Sequence, residues 1–167
     1  MSITVSRSIR VRRPVGEVFA LWADFENFPK FMSSVASVRR VGEGLTRWTY
    51  KGPGGILMEW NAKTTEQTPN RRIAWRTLTD GECSAAKQAG VERTEAERAG
   101  VSHTGEVLFQ DLGDETDVTV TMTYELPFGP LGQWAGQVLI NPQGRLDRTL
   151  ENFRRYCEKD APLRKTA

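Results

Sequence analysis

Residues 24–32 read DFENFPKFM, a short aromatic stretch between a helical pattern and a series of short strands. Pro29 cannot continue a regular helix, and Asp24 and Asn27 are good helix caps. The stretch therefore predicts a second short helix or a turn. A first helix is predicted just before it, because apolar residues from Val15 to Trp22 recur at spacings of i, i+3, i+4 and i+7.

Alternating apolar and polar residues predict strands on both sides of these helices. The first strand is predicted over Ile3–Val11. Turns rich in Gly and Pro separate the later strands, and short links of this kind favour antiparallel neighbours. The later strands are predicted at Val35–Val41, Leu45–Lys51, Ile56–Thr65, Arg71–Leu78, a segment containing Val107 and Phe109, and Val118–Leu126.

Residues 80–100 interrupt the series of strands. They contain no aromatic residue and no Leu, Ile or Met, and they are rich in Ala and Glu. Such a segment forms either a short surface helix or a mobile loop, and it buries too little apolar surface to be a separate domain. We therefore predict a single domain over residues 1–160 with a polar inserted loop, followed by a frayed tail at 161–167.

The end of the chain is predicted to be a long helix. Leu131–Ile140 is apolar, and Asn141-Pro142 is a typical helix start. An apolar stripe, expected to cover one face of the sheet, follows along Leu146, Leu150, Phe153 and Cys157. Arginines and acids mix on the other face, which predicts ion pairs rather than a basic surface. These charged residues are Arg145, Arg148, Arg154 and Arg155 with Asp147, Glu151 and Glu158.

Composition narrows the possible functions. The 167 residues include 23 Lys and Arg and 21 Asp and Glu, a formal net charge of +2, which is too balanced for a general nucleic-acid binder. One His and two Cys argue against hydrolase or zinc chemistry, so no metal and no cofactor are predicted. Five Trp, seven Phe and three Tyr favour either a heavy core or an apolar pocket.

The sequence also carries expectations about compartment. Residues 1–7 lack the apolar core of a signal peptide, and no apolar run reaches the ~18 residues of a membrane span. We expect a cytoplasmic protein without integral membrane association, in which Cys83 and Cys157 stay reduced. Monomer and homodimer are both open.

The order of one strand, two short helices, about six strands and a long helix resembles the START-like (SRPBCC) superfamily. Its polyketide cyclase/dehydrase and lipid-transport branch is the most similar, and the resemblance covers nearly the whole chain except residues 80–100, where relatives usually have a shorter loop. The matching pieces are DFENFPKFM (24–32), Trp48 with KGPGG (51–55), EWNA (59–62), RIAWR (72–76), GEVLF (105–109) and LENF (150–153).

The resemblance implies an α+β helix-grip fold, in which an antiparallel sheet of about six to seven strands wraps around the C-terminal helix and encloses a hydrophobic pocket. Members bind lipids, polyketides, quinones or hormones, and a few catalyse ring closure or dehydration. Fold alone does not choose among these functions.

Large apolar side chains on the strands and the last helix are the candidate pocket lining, since ligand pockets are mainly apolar with a few polar groups. The alternative for each of them is an ordinary core position. The candidates are Trp48, Tyr50, Trp60, Trp75, Phe109, Met122, Tyr124, Trp134 and Leu139.

Catalysis would need a proton-transfer group inside that pocket. The candidates are Glu59, Asn61, Arg76, His103 and Tyr124. If Trp60 faces inward, strand alternation turns Glu59 and Asn61 outward, and Glu59 is expected on a solvated face. His103 follows the polar insertion and is expected on an exposed loop, with a place at the mouth of the pocket as the alternative. It has no Asp or Cys companion in the sequence, so no catalytic residue is assigned.

The sequence is compatible with three functions. The preferred one is binding of a hydrophobic small molecule, such as a lipid, polyketide or quinone-like compound, between the sheet and the C-terminal helix. One alternative is a polyketide cyclase or dehydratase that uses a pocket acid or base. The other is a protein-interaction module that docks through the insertion or through Leu131–Ile140.

Overall fold

The fold is taken from a computed structural model, which describes residues 2–51, 53–55, 57–94, 98, 100–129 and 142–160. The strands are β1 (Ser2–Val11), β2 (Val35–Gly42), β3 (Leu45–Lys51), β4 (Leu57–Thr68), β5 (Arg72–Arg76), β6 (Ser102–Asp111) and β7 (Thr116–Glu125). The helices are α1 (Val15–Ala23), a 3₁₀ helix at Phe25–Lys30, a 3₁₀ turn at Pro53–Gly55, α2 (Asp80–Gln88), and α3 (Pro142–Arg155), which ends in a π-helical turn at Tyr156–Asp160.

The described strands form one seven-stranded sheet in the order β1-β7-β6-β5-β4-β3-β2, with every pair antiparallel. Strands β1 and β2 are neighbours in the sequence but lie at opposite edges. The segment between them, α1 and the 3₁₀ helix, therefore connects one edge to the other. The predicted α+β helix-grip fold, with six to seven strands and two short helices after the first strand, is confirmed.

The DFENFPKFM stretch ties the helices together. It folds as the 3₁₀ helix with Pro29 inside it, and its Phe28 and Phe31 are buried. The Phe28 ring lies 5.3 Å from Trp22 of α1, and the Phe31 ring lies 5.1 Å from Phe153 of α3. Each buried aromatic side chain contributes roughly 1.5–3 kcal/mol, so the stretch fixes both helices to the same core.

Several strand ends differ from the prediction. Strand β4 continues to Thr68 instead of Thr65, because β5 pairs with its far end through a bulge between Thr64 and Glu66. Strand β5 ends at Arg76 instead of Leu78. The hairpin between them turns at Asn70, whose φ of 62° is a left-handed conformation that Asn tolerates.

The first half of the inserted segment is helical. Helix α2 begins with a capping box, in which Thr79 Oγ1 accepts from the Glu82 backbone N–H at 3.4 Å and Glu82 Oε2 accepts from the Thr79 N–H at 2.9 Å. The Glu82 carboxylate also accepts from Arg76 at 2.7 Å and from Lys63 at 2.7 Å. Hydrogen bonds from Arg76 and then from Lys63 hold the Glu82 pKa well below its usual range. The insertion is thereby attached to β4 and β5.

Candidate functional site

A cavity of about 340 Å³ lies between the inner face of the sheet, the 3₁₀ helix and α3. This volume falls within the range of small-molecule sites. Aromatic rings supply much of its wall. They belong to Trp22, Phe25, Phe28, Trp48, Tyr50, Trp60, Trp75 and Tyr124.

Strand alternation and register position this aromatic wall. Trp48 of β3 is opposite Trp60 of β4, and Tyr50 is opposite Met58, so four large side chains point to the same face. Glu59 points to the other face, where its carboxylate accepts from Arg47 Nη2 at 2.9 Å. The predicted separation of Trp60 from Glu59 is therefore observed.

A glycine shapes another part of the wall. Gly105 of β6 lies between Trp75 of β5 and Met122 of β7 in register. A Cβ at residue 105 would be only 2.4 Å from the Trp75 ring and 2.7 Å from Met122 Sδ. Gly105 thus allows the Trp75 ring to lie across the strand, where it lines the cavity.

Most of the predicted pocket side chains come together here. Trp48, Tyr50, Trp60, Trp75, Met122 and Tyr124 all line the cavity. Phe109 is not among the lining residues. It lies farther along β6, and its ring packs against Phe19 of α1 at 5.3 Å and Trp22 at 6.4 Å, so it belongs to the core. Trp134 and Leu139 lie outside the described residues.

The predicted proton-transfer candidates separate onto two faces of the sheet. Glu59 and Arg76 point away from the cavity, each in an ion pair. Asn61 is on that outer face too, but it is buried, and its Nδ2 donates to the Glu92 carbonyl of the insertion at 3.1 Å. His103 and Tyr124 face the cavity.

The expectation that His103 lies on an exposed loop is wrong. Strand β6 begins at Ser102, directly after the insertion, and pairs His103 with Tyr124 of β7. The His103 ring lies 5.5 Å from Trp60, and the residue is 9% exposed. A signal for this was present in the sequence, because His103 shares the alternation of Gly105, Val107 and Phe109.

Burial keeps His103, Tyr50 and Tyr124 neutral. It lowers the pKa of His103 to about 4 and raises the pKa values of Tyr50 and Tyr124. At pH 7 the imidazole has one N–H donor and one acceptor nitrogen. Neither ring nitrogen bonds to another described residue, so both are available to a molecule in the cavity.

Sequence reasoning missed the contribution of α3. Arg145, Leu146, Arg148, Thr149 and Asn152 line the cavity at spacings of 0, 1, 3, 4 and 7 residues. This stripe is mainly polar, whereas the sequence predicts an apolar stripe along Leu146, Leu150, Phe153 and Cys157.

The predicted ion-paired face of α3 is correct in part. Arg154 pairs with Glu151 and Glu158, and Arg155 pairs with Glu151 at 3.3 Å. For Arg145 and Arg148 the prediction is wrong. They line the cavity instead, and within the described ranges they form no ion pair, since Asp147 pairs with Arg7 of β1.

The described residues offer neither a metal site nor a disulfide. No group of three or more His, Cys, Asp or Glu among the described residues is placed to hold a metal ion. Cys83 and Cys157, both described and both buried, form no disulfide. In the part of the chain that the structure covers, the helices are too short or too polar to cross a membrane.

Comparisons with known proteins agree with this architecture. The sequence model of the family described as "Polyketide cyclase / dehydrase and lipid transport" matches residues 11–152. A curated protein of Streptomyces lincolnensis, described as an uncharacterized 17.2 kDa protein in the melC2-rnhH intergenic region, is 41% identical over 87 residues, or 52% of this chain. The match spans 55% of that relative's length.

Solved structures share the fold at low identity. DR_A0006 from Deinococcus radiodurans is 24% identical with a TM-score of 0.65, over 95% of this chain and 100% of that one. The Zhui aromatase/cyclase from Streptomyces sp. R1128 is 16% identical with a TM-score of 0.67, over 98% and 100%. Truncated norcoclaurine synthase from Thalictrum flavum is 12% identical with a TM-score of 0.63, over 95% of each chain.

Proposed function

The chain belongs to the polyketide cyclase/dehydrase and lipid-transport family, and from this premise we propose that it binds a hydrophobic small molecule in the cavity between the sheet and α3. The observation that carries the proposal is the cavity itself, at about 340 Å³ with walls rich in Trp and Tyr. Such walls suit a flat or ring-containing ligand, because aromatic faces offer large contact areas at defined geometry. The fold shared with an aromatase/cyclase and norcoclaurine synthase is consistent with a ligand of this kind.

Binding is favoured over catalysis by the state of His103. A general base works best when its pKa is near the operating pH. The pKa of about 4 at His103 lies about three units lower than neutral pH, so its imidazole is a weak base there. It is better suited to orient a ligand through one neutral hydrogen bond.

The proposal is tested by titrating the protein with N-phenyl-1-naphthylamine, an uncharged probe that fluoresces in apolar surroundings. Ala62 is buried in the cavity wall, so Ala62→Leu fills part of the space. We expect saturable binding by the wild type and at least a tenfold weaker affinity in Ala62→Leu. The matched control is Ala85→Leu on the exposed side of α2, which should bind as the wild type does. Absence of wild-type binding, or equal affinity in Ala62→Leu, would overturn the proposal.

A cyclase or dehydratase activity is the second candidate function, and one observation favours it. His103 and Tyr124 face the same cavity with ring centres 6.3 Å apart, so an imidazole and a phenol could act on one substrate. The test is aromatic product formation from a short synthetic poly-β-keto thioester, followed by absorbance. An enzyme should exceed the buffer rate, and His103→Phe should lose at least a hundredfold. A wild-type rate equal to buffer would exclude this activity on that substrate class.

A further inference from the structure

The two sides of the cavity differ in polarity. Its sheet side carries the aromatic wall, whereas α3 contributes the polar stripe of Arg145, Arg148, Thr149 and Asn152. Lys51, at the end of β3, also lines the cavity, and its backbone N–H donates to Ser34 at 2.8 Å. Arg145, Arg148 and Lys51 are exposed, so they lie where the cavity wall meets solvent.

The positive charges of Arg145, Arg148 and Lys51 have no neutralising partner among the described residues. No Asp or Glu lines the described cavity. The acids of α3 are engaged elsewhere, Asp147 with Arg7 and Glu151 with Arg154. Residues 130–141, which precede α3 in the sequence, include no charged residue.

Arg145 and Arg148 form no ion pair within α3 among the described residues. Glu151, three residues after Arg148, pairs with Arg154 and Arg155 instead. The charge of Arg145 acts on the cavity side of the helix. Burial raises the pKa of Tyr124, and the positive charge of Arg145 lowers it in part. A role towards the cavity explains the placement better than a role in folding.

We propose that the cavity selects an amphipathic anion, with its apolar body against the aromatic wall and a carboxylate or phosphate group bound by Arg145 and Arg148, assisted by Lys51. The inference rests on the proposed function and adds the chemical class of the ligand. Guanidinium groups suit such an end, because their planar donors match the oxygens of a carboxylate or phosphate. Thr149 and Asn152 supply further hydrogen-bonding groups on the same side.

The experiment compares two probes with the same ring system, N-phenyl-1-naphthylamine and its sulfonated relative 1-anilinonaphthalene-8-sulfonate. In the wild type we expect the sulfonate to bind at least fivefold more tightly. In R145Q/R148Q its affinity should fall at least tenfold, while the uncharged probe changes by less than twofold. R155Q is the matched control, because Arg155 is exposed on the same helix, pairs with Glu151 and does not line the cavity.

A salt titration of the wild type gives a second measurement that needs no variant. Raising NaCl from 50 to 500 mM should weaken the sulfonate and leave the uncharged probe nearly unchanged. Equal affinity of the two probes, equal loss of both in R145Q/R148Q, or no effect of salt would overturn the inference while leaving the proposed function intact. If neither probe binds the wild type, the proposed function itself fails.

Competition then identifies the anionic group. Dodecanoate, dodecyl phosphate and dodecanol displace the uncharged probe from the wild type and from R145Q/R148Q. We expect at least one of the two anions to compete tenfold better than dodecanol in the wild type, and this advantage should disappear in the variant. The stronger anion shows whether the site prefers a carboxylate or a phosphate. No advantage of either anion over dodecanol would contradict the inference.

Discussion

His103 is the only histidine of the chain, and its place in the cavity wall governs its protonation. It packs against Trp60 and Tyr124, and this burial removes it from water and disfavours its charged form. In the unfolded chain its pKa returns to about 6.5. The unfolded chain therefore binds a proton at His103 more readily than the folded protein does. Stability is lost as the pH falls from 6.5 towards about 4, the folded-state pKa.

This difference predicts a pH-dependent stability that one substitution removes. Between pH 7 and pH 5 the free energy of unfolding should fall by about 2 kcal/mol, since His103 becomes protonated in the unfolded chain but stays neutral in the folded protein. The measurement is urea unfolding at both pH values. His103→Phe keeps an aromatic ring in place and should lose this pH dependence. Parallel pH profiles for the wild type and His103→Phe would show that folding leaves the pKa of His103 unchanged.

At the scale of elements, α2 shows how a polar segment obtains defined structure. It contains no large apolar residue, so its stability depends on the capping box and on Glu82, which bonds to Arg76 and Lys63. Beyond α2, the Glu92 carbonyl accepts from Asn61 on β4. These polar contacts attach the insertion to the outer face of the sheet, opposite the cavity.

Loss of the N-cap should therefore loosen α2 locally. Thr79→Ala removes the side-chain acceptor of the capping box and should destabilise the helix by about 1 kcal/mol. That corresponds to roughly fivefold faster amide exchange over residues 80–88, measured by hydrogen–deuterium exchange. Ser84→Ala is the control, because Ser84 Oγ donates only to the Asp80 carbonyl within the same helix. Unchanged exchange in Thr79→Ala would mean that the Glu82 ion pairs alone hold the helix.

At the scale of the whole molecule, a packed core and a cavity share one sheet. Phe109, Phe19 and Phe153 fill the space under α1, whereas Trp48, Trp60 and Trp75 surround the cavity. Trp22 belongs to the core and also lines the cavity. The division arises because α1 and α3 cover only part of the inner face. A ligand in the remaining space would join the aromatic wall to α3.

A ligand that binds only the folded state should raise the melting temperature. At a free concentration ten times its Kd, N-phenyl-1-naphthylamine should add about 1.4 kcal/mol, a rise of roughly 3–6 °C for a chain of this length. Circular dichroism melts with and without the probe measure the shift. Ala62→Leu at the same probe concentration should show at most a third of it, and Ala85→Leu the full rise. An unchanged wild-type melting temperature in the presence of the probe would argue against binding in the cavity.

The sequence by itself determined the elements and the family, because the signals for them are local. Alternation put Trp48 and Tyr50 on one face of their strand and separated Trp60 from Glu59, because it is a property of a few neighbouring residues. It left open which face lines the cavity. The prediction for His103 was wrong because the polar insertion ends directly before β6, and the start of that strand was not recognised. Only the tertiary structure decided that Phe109 belongs to the core and that Arg145 and Arg148 face the cavity, because these outcomes depend on where α1 and α3 lie over the sheet. The spacing of residues along a helix does not show which element packs against each face. The role of the polar stripe of α3 could therefore be inferred only once the structure placed it opposite the aromatic wall of the cavity.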